Sequence, residues 1–271
     1  MNAVVYSIHA NIPIEYNTHW QLFVNSVMSL REYNQTIQVI CYLNSADHLV
    51  PSVNEFFATH NITLMVFDEN RFFGELQQPL TGTDNYWHWP FIIHKWPNTI
   101  DAINKFNLER ALFIDADTYF RGDVQQIFDS YAADKVWCRT EYTGYIPRVL
   151  AAEMAMNDGV FLLSRHHAQI IQPYYFTRYN PLMTQYLVEN KPLLTSNEYD
   201  QIAWSGWQYI SHIILRELAV PLGEFNCAQV AFSNEPAGFQ EKNASGAMIL
   251  HHYYKTNIYI YQPHLLHLQQ R

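Results

Sequence analysis

Along the first 115 residues the hydrophobic positions switch repeatedly between short apolar runs and helically spaced stripes. Residues 3–9, "AVVYSIH", are rich in β-branched and aromatic side chains and predict a strand. In "THWQLFVNSVMSLREYN", Trp20, Phe23, Val24, Val27 and Met28 recur at helical spacing, which predicts one apolar face with Thr18 as N-cap. "IQVICYL" at 37–43 predicts a second strand, "VPSVNEFFATHN" a second helix and "ITLMVF" a third strand. Ile92, Trp96, Ile100, Ile103 and Phe106 predict a helix over about 91–107, bent near Pro97. "ALFI" then predicts a fourth strand. Strands alternating with helices predict an α/β domain on a mainly parallel sheet.

The second half is less regular. "MAMNDGVFLLS" predicts two strands about a turn at Asn157-Asp158-Gly159. A helical pattern runs from Asn197 to about Glu217, and a late strand, "AMILHHYY", carries His251 and His252. No Gly/Ser linker and no internal repeat divides the chain, which reads as one domain over 1–271.

Charge narrows the functions open to this chain. Its 271 residues hold 25 acidic against 16 basic side chains, a formal net charge of -9. A nucleic-acid binder would carry the opposite sign, so none is expected as partner. An anionic substrate would need a metal ion or a few placed cations. Cys41, Cys138 and Cys227 are dispersed and odd in number, which fits a reducing compartment. The N-terminus has no charged and apolar leader pattern, and no stretch approaches the ~20 apolar residues of a membrane helix. Asn34, Asn61 and Asn243 head N-x-S/T triplets that read as chance matches. The expected location is cytoplasmic, with no transmembrane segment.

Against that background "ALFIDADTYF", residues 111–120, stands out. An apolar strand runs into Asp115 and Asp117, with Ala116 between them. In parallel α/β sheets ligands collect at the carboxyl ends of strands, and residues two apart in an extended segment face the same way. Two carboxylates on one face repel unless a cation joins them. Mg²⁺ and Mn²⁺ take oxygen ligands, and an imidazole suits Mn²⁺ as well. The bland alternative is a strand end that starts the turn at "RGD".

The segment "ERALFIDADTYFRGDVQQIF" resembles the D-x-D region of nucleotide-sugar-dependent glycosyltransferases of the GT-A fold, closest to the glycogenin-like and galactosyltransferase-like group called family 8. Three further segments resemble that group in order: "AVVYSIHANIP", "MNDGVFLLS" and "MILHHYYKTN". The likeness covers most of residues 3–256. It implies a GT-A type, Rossmann-like, mainly parallel central sheet flanked by helices, with a nucleotide-sugar-binding half (about 1–120) and an acceptor and sugar half (about 121–271). It further implies a UDP-sugar donor, Mn²⁺ or Mg²⁺ as cofactor and a saccharide or other hydroxyl acceptor. By the same likeness Tyr6, His9 and Asn11 hold the nucleoside. Asp115, Ala116 and Asp117 lie at the metal and diphosphate, Gly159 beside the donor and Lys255 at the diphosphate. The family's Gly after H-Y and its "KPW" are absent here. Matching H-Y to His252-Tyr253 favours His252 over His251 as the metal's imidazole.

Several of these residues have quieter readings. Asn157 and Asp158 either meet sugar hydroxyls or only build a tight turn. Asp200, in "NEYDQIAWS", resembles the family's acidic residue near the donor sugar. It also suits a helix start capped by Asn197. Lys95 resembles a donor-binding cation, or is a solvated helix residue. "NYWHWPF" at 85–91 is a sugar-stacking surface or core packing under a loop. The function implied is transfer of a hexose from the nucleotide sugar, with retention because family 8 retains. The alternatives are a sugar-1-phosphate nucleotidyltransferase and a non-catalytic sugar- or nucleotide-binding protein of the same fold. "IHANIPIEYN", with no Gly, Lys or Arg, lacks the phosphate loop of the former.

Overall fold

Four parallel strands stand where the apolar runs predict them, within a residue or two of the expected bounds. They are β1 (Asn2–Ile8), β2 (Gln38–Leu43), β3 (Ile62–Val66) and β4 (Arg110–Ile114), ordered β3-β2-β1-β4. The structure, a computed structural model, describes residues 1–10, 13–67, 94–141, 155–190, 208–232 and 247–251. Beyond β4 the sheet continues through β7 (Ala155–Ser164), β6 (Val136–Glu141) and β8 (Leu222–Glu224). Strand β7 runs antiparallel to both neighbours. A second sheet joins β5 (Thr118–Phe120), β10 (Ile249–His251) and β9 (Val230–Phe232).

Alternation along β1 sorts its side chains to the two faces of the sheet. Val4, Tyr6 and Ile8 enter one buried cluster, with Phe23 and Val27 of α1 (Thr18–Tyr33) and Phe57 of α2 (Pro51–Thr59). Ala3 and Val5 enter the other, with Trp96 and Ile100 of α3 (Lys95–Lys105) and Tyr175 of α5 (Arg165–Asn190). The short α4 (Gln125–Ser130) covers the first face through Ile127 and Phe128, and α6 (208–217) covers the second through Ile210 and Ile214. Both faces are covered, as a parallel sheet requires. Among the described residues, no helix is long and apolar enough to cross a membrane.

Several local expectations are corrected. The N-cap of α1 is Asn17, not Thr18: its backbone is extended and its side chain accepts from His19 N and Trp20 N. Pro97 falls in the first turn of α3, where the missing N–H breaks no intrahelical bond. The helix expected from Asn197 to about Glu217 is present over 208–217, and residues 197–207 lie outside the described residues. The turn expected at Asn157-Asp158-Gly159 is a strand interior. Partners across β6 and β7 jump from Cys138↔Phe161 to Arg139↔Asn157, so Asp158, Gly159 and Val160 are extra residues on β7. On its other edge β7 keeps pairing with β4, through Ile114↔Val160 and Asp115 N donating to Gly159 O at 2.8 Å. Asp-Gly here makes a bulge rather than a hairpin, and a bulge re-aims side chains.

Candidate metal and donor site

The site lies where the two sheets meet, at the carboxyl end of β4. Asp115 leaves β4, and Thr118 N donates back to Asp115 O at 3.2 Å, closing a tight turn that carries Asp117. Strand β5 starts at Thr118, which pairs with His251 at the end of β10. That register brings the His251 Nε2 to 3.2 Å from Asp117 Oδ1 and 3.6 Å from Asp115 Oδ2. One ligand atom from each of Asp115, Asp117 and His251 falls within 4.8 Å of the others. The carboxylates are partly exposed, while the imidazole is only 3% exposed.

Beneath this group lies Lys95, the first residue of α3 and only 5% exposed. Its Nζ donates to Asp115 Oδ2 at 2.8 Å and to Asp158 Oδ1 at 3.2 Å. The solvated alternative for Lys95 is therefore wrong. Asp158 reaches it from the β7 bulge, and its backbone N donates to Gln208 Oε1 at 3.3 Å. The Asn157 Oδ1 accepts from Gly159 N at 2.8 Å. Gly159 is packed so closely under His251 and Asp115 that no side chain fits there without movement.

Burial and charge act against each other throughout. Burial alone would lower the Lys95 ammonium, but the Asp115 and Asp158 carboxylates hold it above its ordinary value. Burial would raise Asp115, and Lys95 and His251 hold it below the usual carboxylate range instead. Asp158 is pushed up by burial, despite Lys95. The His251 imidazole would be lowered by burial, yet the Asp117 and Asp115 carboxylates hold it up at about 10.

The structure unites Lys95, Asp115, Asp117, Asp158, Gly159 and His251; Ala116 spans the two acids. It brings His251 to the acids, where the H-Y match favoured His252. His252, Lys255, Asn11, Asp200 and the run 85–91 lie outside the described residues. Tyr6 stands apart from the group. Its ring is fully buried against Phe23, and its hydroxyl bonds Ser26 at 2.9 Å. Past the carboxyl end of β1, His9 is buried and Ala10 is pinned: its N donates to Asn44 Oδ1 and its O accepts from Asn44 Nδ2. On the opposite face of β1, Ser7 Oγ accepts from Asn98 Nδ2 of α3 at 2.9 Å. Gln208 and Asn98 carry no local sequence signal, because each acts on a residue at least 50 positions away.

An oxygen-rich trio with one imidazole suits a hard divalent cation such as Mg²⁺ or Mn²⁺. The residues present fit such an ion: the donors converge and Gly159 leaves the floor open for them.

No protein-family model matches the chain, and no curated protein matches it. Solved structures do resemble it. Apo mouse xyloside xylosyltransferase 1 aligns over 93% of this chain and 97% of its own, with 11% identity and a TM-score of 0.53. The apo form of the glycosyltransferase GlyE of Streptococcus pneumoniae TIGR4 aligns over 93% and 54%, with 12% identity and a TM-score of 0.54. The bifunctional glycosyltransferase WbbM in its apo form aligns over 93% and 46%, with 12% identity and a TM-score of 0.52. The chain thus spans about half the length of the last two. These likenesses show the fold: a GT-A-type α/β architecture with a mainly parallel central sheet.

Proposed function

We propose that this chain is a metal-dependent glycosyltransferase of the family 8 kind, a single GT-A domain that moves a hexose from a UDP-sugar to an acceptor hydroxyl. The observation that carries the reading is the convergence of Asp115, Asp117 and His251 at the carboxyl end of β4, above a buried Lys95. A bound Mn²⁺ or Mg²⁺ would supply positive charge against the diphosphate as negative charge develops on it. Asp115, Asp117 and His251 would hold the ion, and Lys255 would add a cation at the diphosphate. The carboxyl end of β1, around His9 and Asn11, would receive the nucleoside. Asp200 and Asn157 would face the donor sugar. Retention at the anomeric carbon follows from the family 8 likeness alone, and a cytoplasmic location from the sequence alone.

The test is a thermal-shift comparison of the full chain with UDP, UDP-sugars and other nucleotides, each with and without Mn²⁺. UDP should stabilise the wild type only when Mn²⁺ is present. Asp117→Asn should fold normally and lose that stabilisation. Equal stabilisation of wild type and variant would remove the metal role of the pair. A chain that binds UDP with Mn²⁺ but turns over no donor, even by slow hydrolysis, would be a binding protein instead.

A further inference from the structure

Helix formation gives no reason for a cation at position 95. Lys95 opens α3, where the positive end of the helix dipole disfavours a cation, and it is almost wholly buried. Burial of an ammonium is tolerated only with well-placed partners. Asp115 supplies one; the other is Asp158, which the three-residue bulge of β7 turns toward the Nζ. Asp158 is itself only 2% exposed, its carboxylate is engaged by Lys95 and its backbone N by Gln208. We propose that Asp158 is a positioning residue that holds Lys95 beneath the site and shares its charge with Asp115, so that Asp115 stays available to a divalent cation. This rests on the reading of Asp115, Asp117 and His251 as a cation site.

Charge arithmetic supports this division. Asp115, Asp117 and Asp158 carry three negative charges and Lys95 one positive, leaving two with His251 neutral, which one divalent ion balances. Without the Asp158 charge, Lys95 would turn wholly to Asp115 and compete with the ion for that carboxylate.

Asp158→Asn keeps the size, and its amide oxygen can still accept from Lys95. Titration of the full chain with Mn²⁺ should show affinity lowered roughly 10–100-fold, as for residues that support metal ligands. The double variant Lys95→Met/Asp158→Asn should recover affinity to the wild-type level or above. A purely structural Asp158 would change melting temperature and leave these readouts alone. Wild-type Mn²⁺ affinity in Asp158→Asn, or no recovery of affinity in the double variant, overturns the proposal while leaving the cation site standing. Absence of Mn²⁺ binding by the wild type overturns the cation site, and this inference with it.

Discussion

Gly159 supports His251 from directly below. A Cβ on Gly159 would lie 2.2 Å from His251 Cε1 and 2.7 Å from Asp115 Oδ2, closer than non-bonded atoms approach. The glycine is needed for space rather than for backbone freedom: two side chains of the trio converge over its bare Cα. Gly159→Ala should therefore move the imidazole and the carboxylate apart. Overpacking of this kind costs roughly 1–3 kcal/mol, so the variant should melt a few degrees lower yet fold. Its Mn²⁺ affinity should fall roughly 10–100-fold. Unchanged affinity would mean that the trio does not act as one site.

The adjacent histidines should behave unequally. His251 Nε2 is 3.2 Å from Asp117, and its backbone is fixed by pairing with Thr118. His251→Ala should abolish Mn²⁺ binding in calorimetric titration, whereas His252→Ala should bind within about threefold of wild type, a difference of ~0.65 kcal/mol. Loss in both variants, or only in His252→Ala, would remove His251 as the ligand.

Tyr6 should contribute to stability rather than to binding. Its hydroxyl shares a buried hydrogen bond with Ser26 of α1, and burial holds that hydroxyl far above its ordinary pKa. Tyr6→Phe leaves the serine without this partner, at a cost of roughly 1–3 kcal/mol. Denaturant unfolding should show the loss, and UDP affinity with Mn²⁺ should not change. A variant of full stability with weakened UDP binding would return Tyr6 to the nucleoside site.

The parallel half of the fold was legible because its strands are short, apolar and well separated, so one-dimensional patterns suffice. The D-x-D pair was legible for the same reason: Asp115 and Asp117 follow directly on a buried strand. Helix α5 escaped notice because Pro173 and Pro181 interrupt its pattern. The β7 bulge escaped because Asp-Gly is also a hairpin signal, and only pairing with β4 on the other edge holds the chain straight. His251 and His252 differ by one residue, and motif alignment cannot sense which face of β10 meets β5. The register can. The role of Lys95 depends on three segments converging, from α3, β4 and β7, which no local pattern encodes.

Metal binding at the proposed site should be strongly pH-dependent, and the sign follows from His251. Without a metal ion the two carboxylates hold its imidazole up at about 10, well above the ordinary 6.5, against the downward pull of burial. At pH 7 the metal-free ring therefore carries a proton, whereas a ligating imidazole must be neutral. Binding must expel that proton, so affinity for Mg²⁺ or Mn²⁺ should rise roughly tenfold per pH unit from about 7 toward 10. Calorimetric titration at pH 7 in buffers of different ionisation enthalpy should record about one proton released per ion. The same shift sets a stability trend with the opposite sign. A folded-state pKa above the unfolded one stabilises the metal-free protein fully below about 6.5, and this contribution is lost as pH rises through about 10. The melting temperature of the metal-free chain should therefore fall across that window. Saturating metal should remove this group's share of the fall, since the bound ring has no proton left to lose. His251→Ala should remove the share as well, without metal. Metal affinity that stays flat between pH 7 and 9, with no proton released, would show that His251 does not ligate the ion.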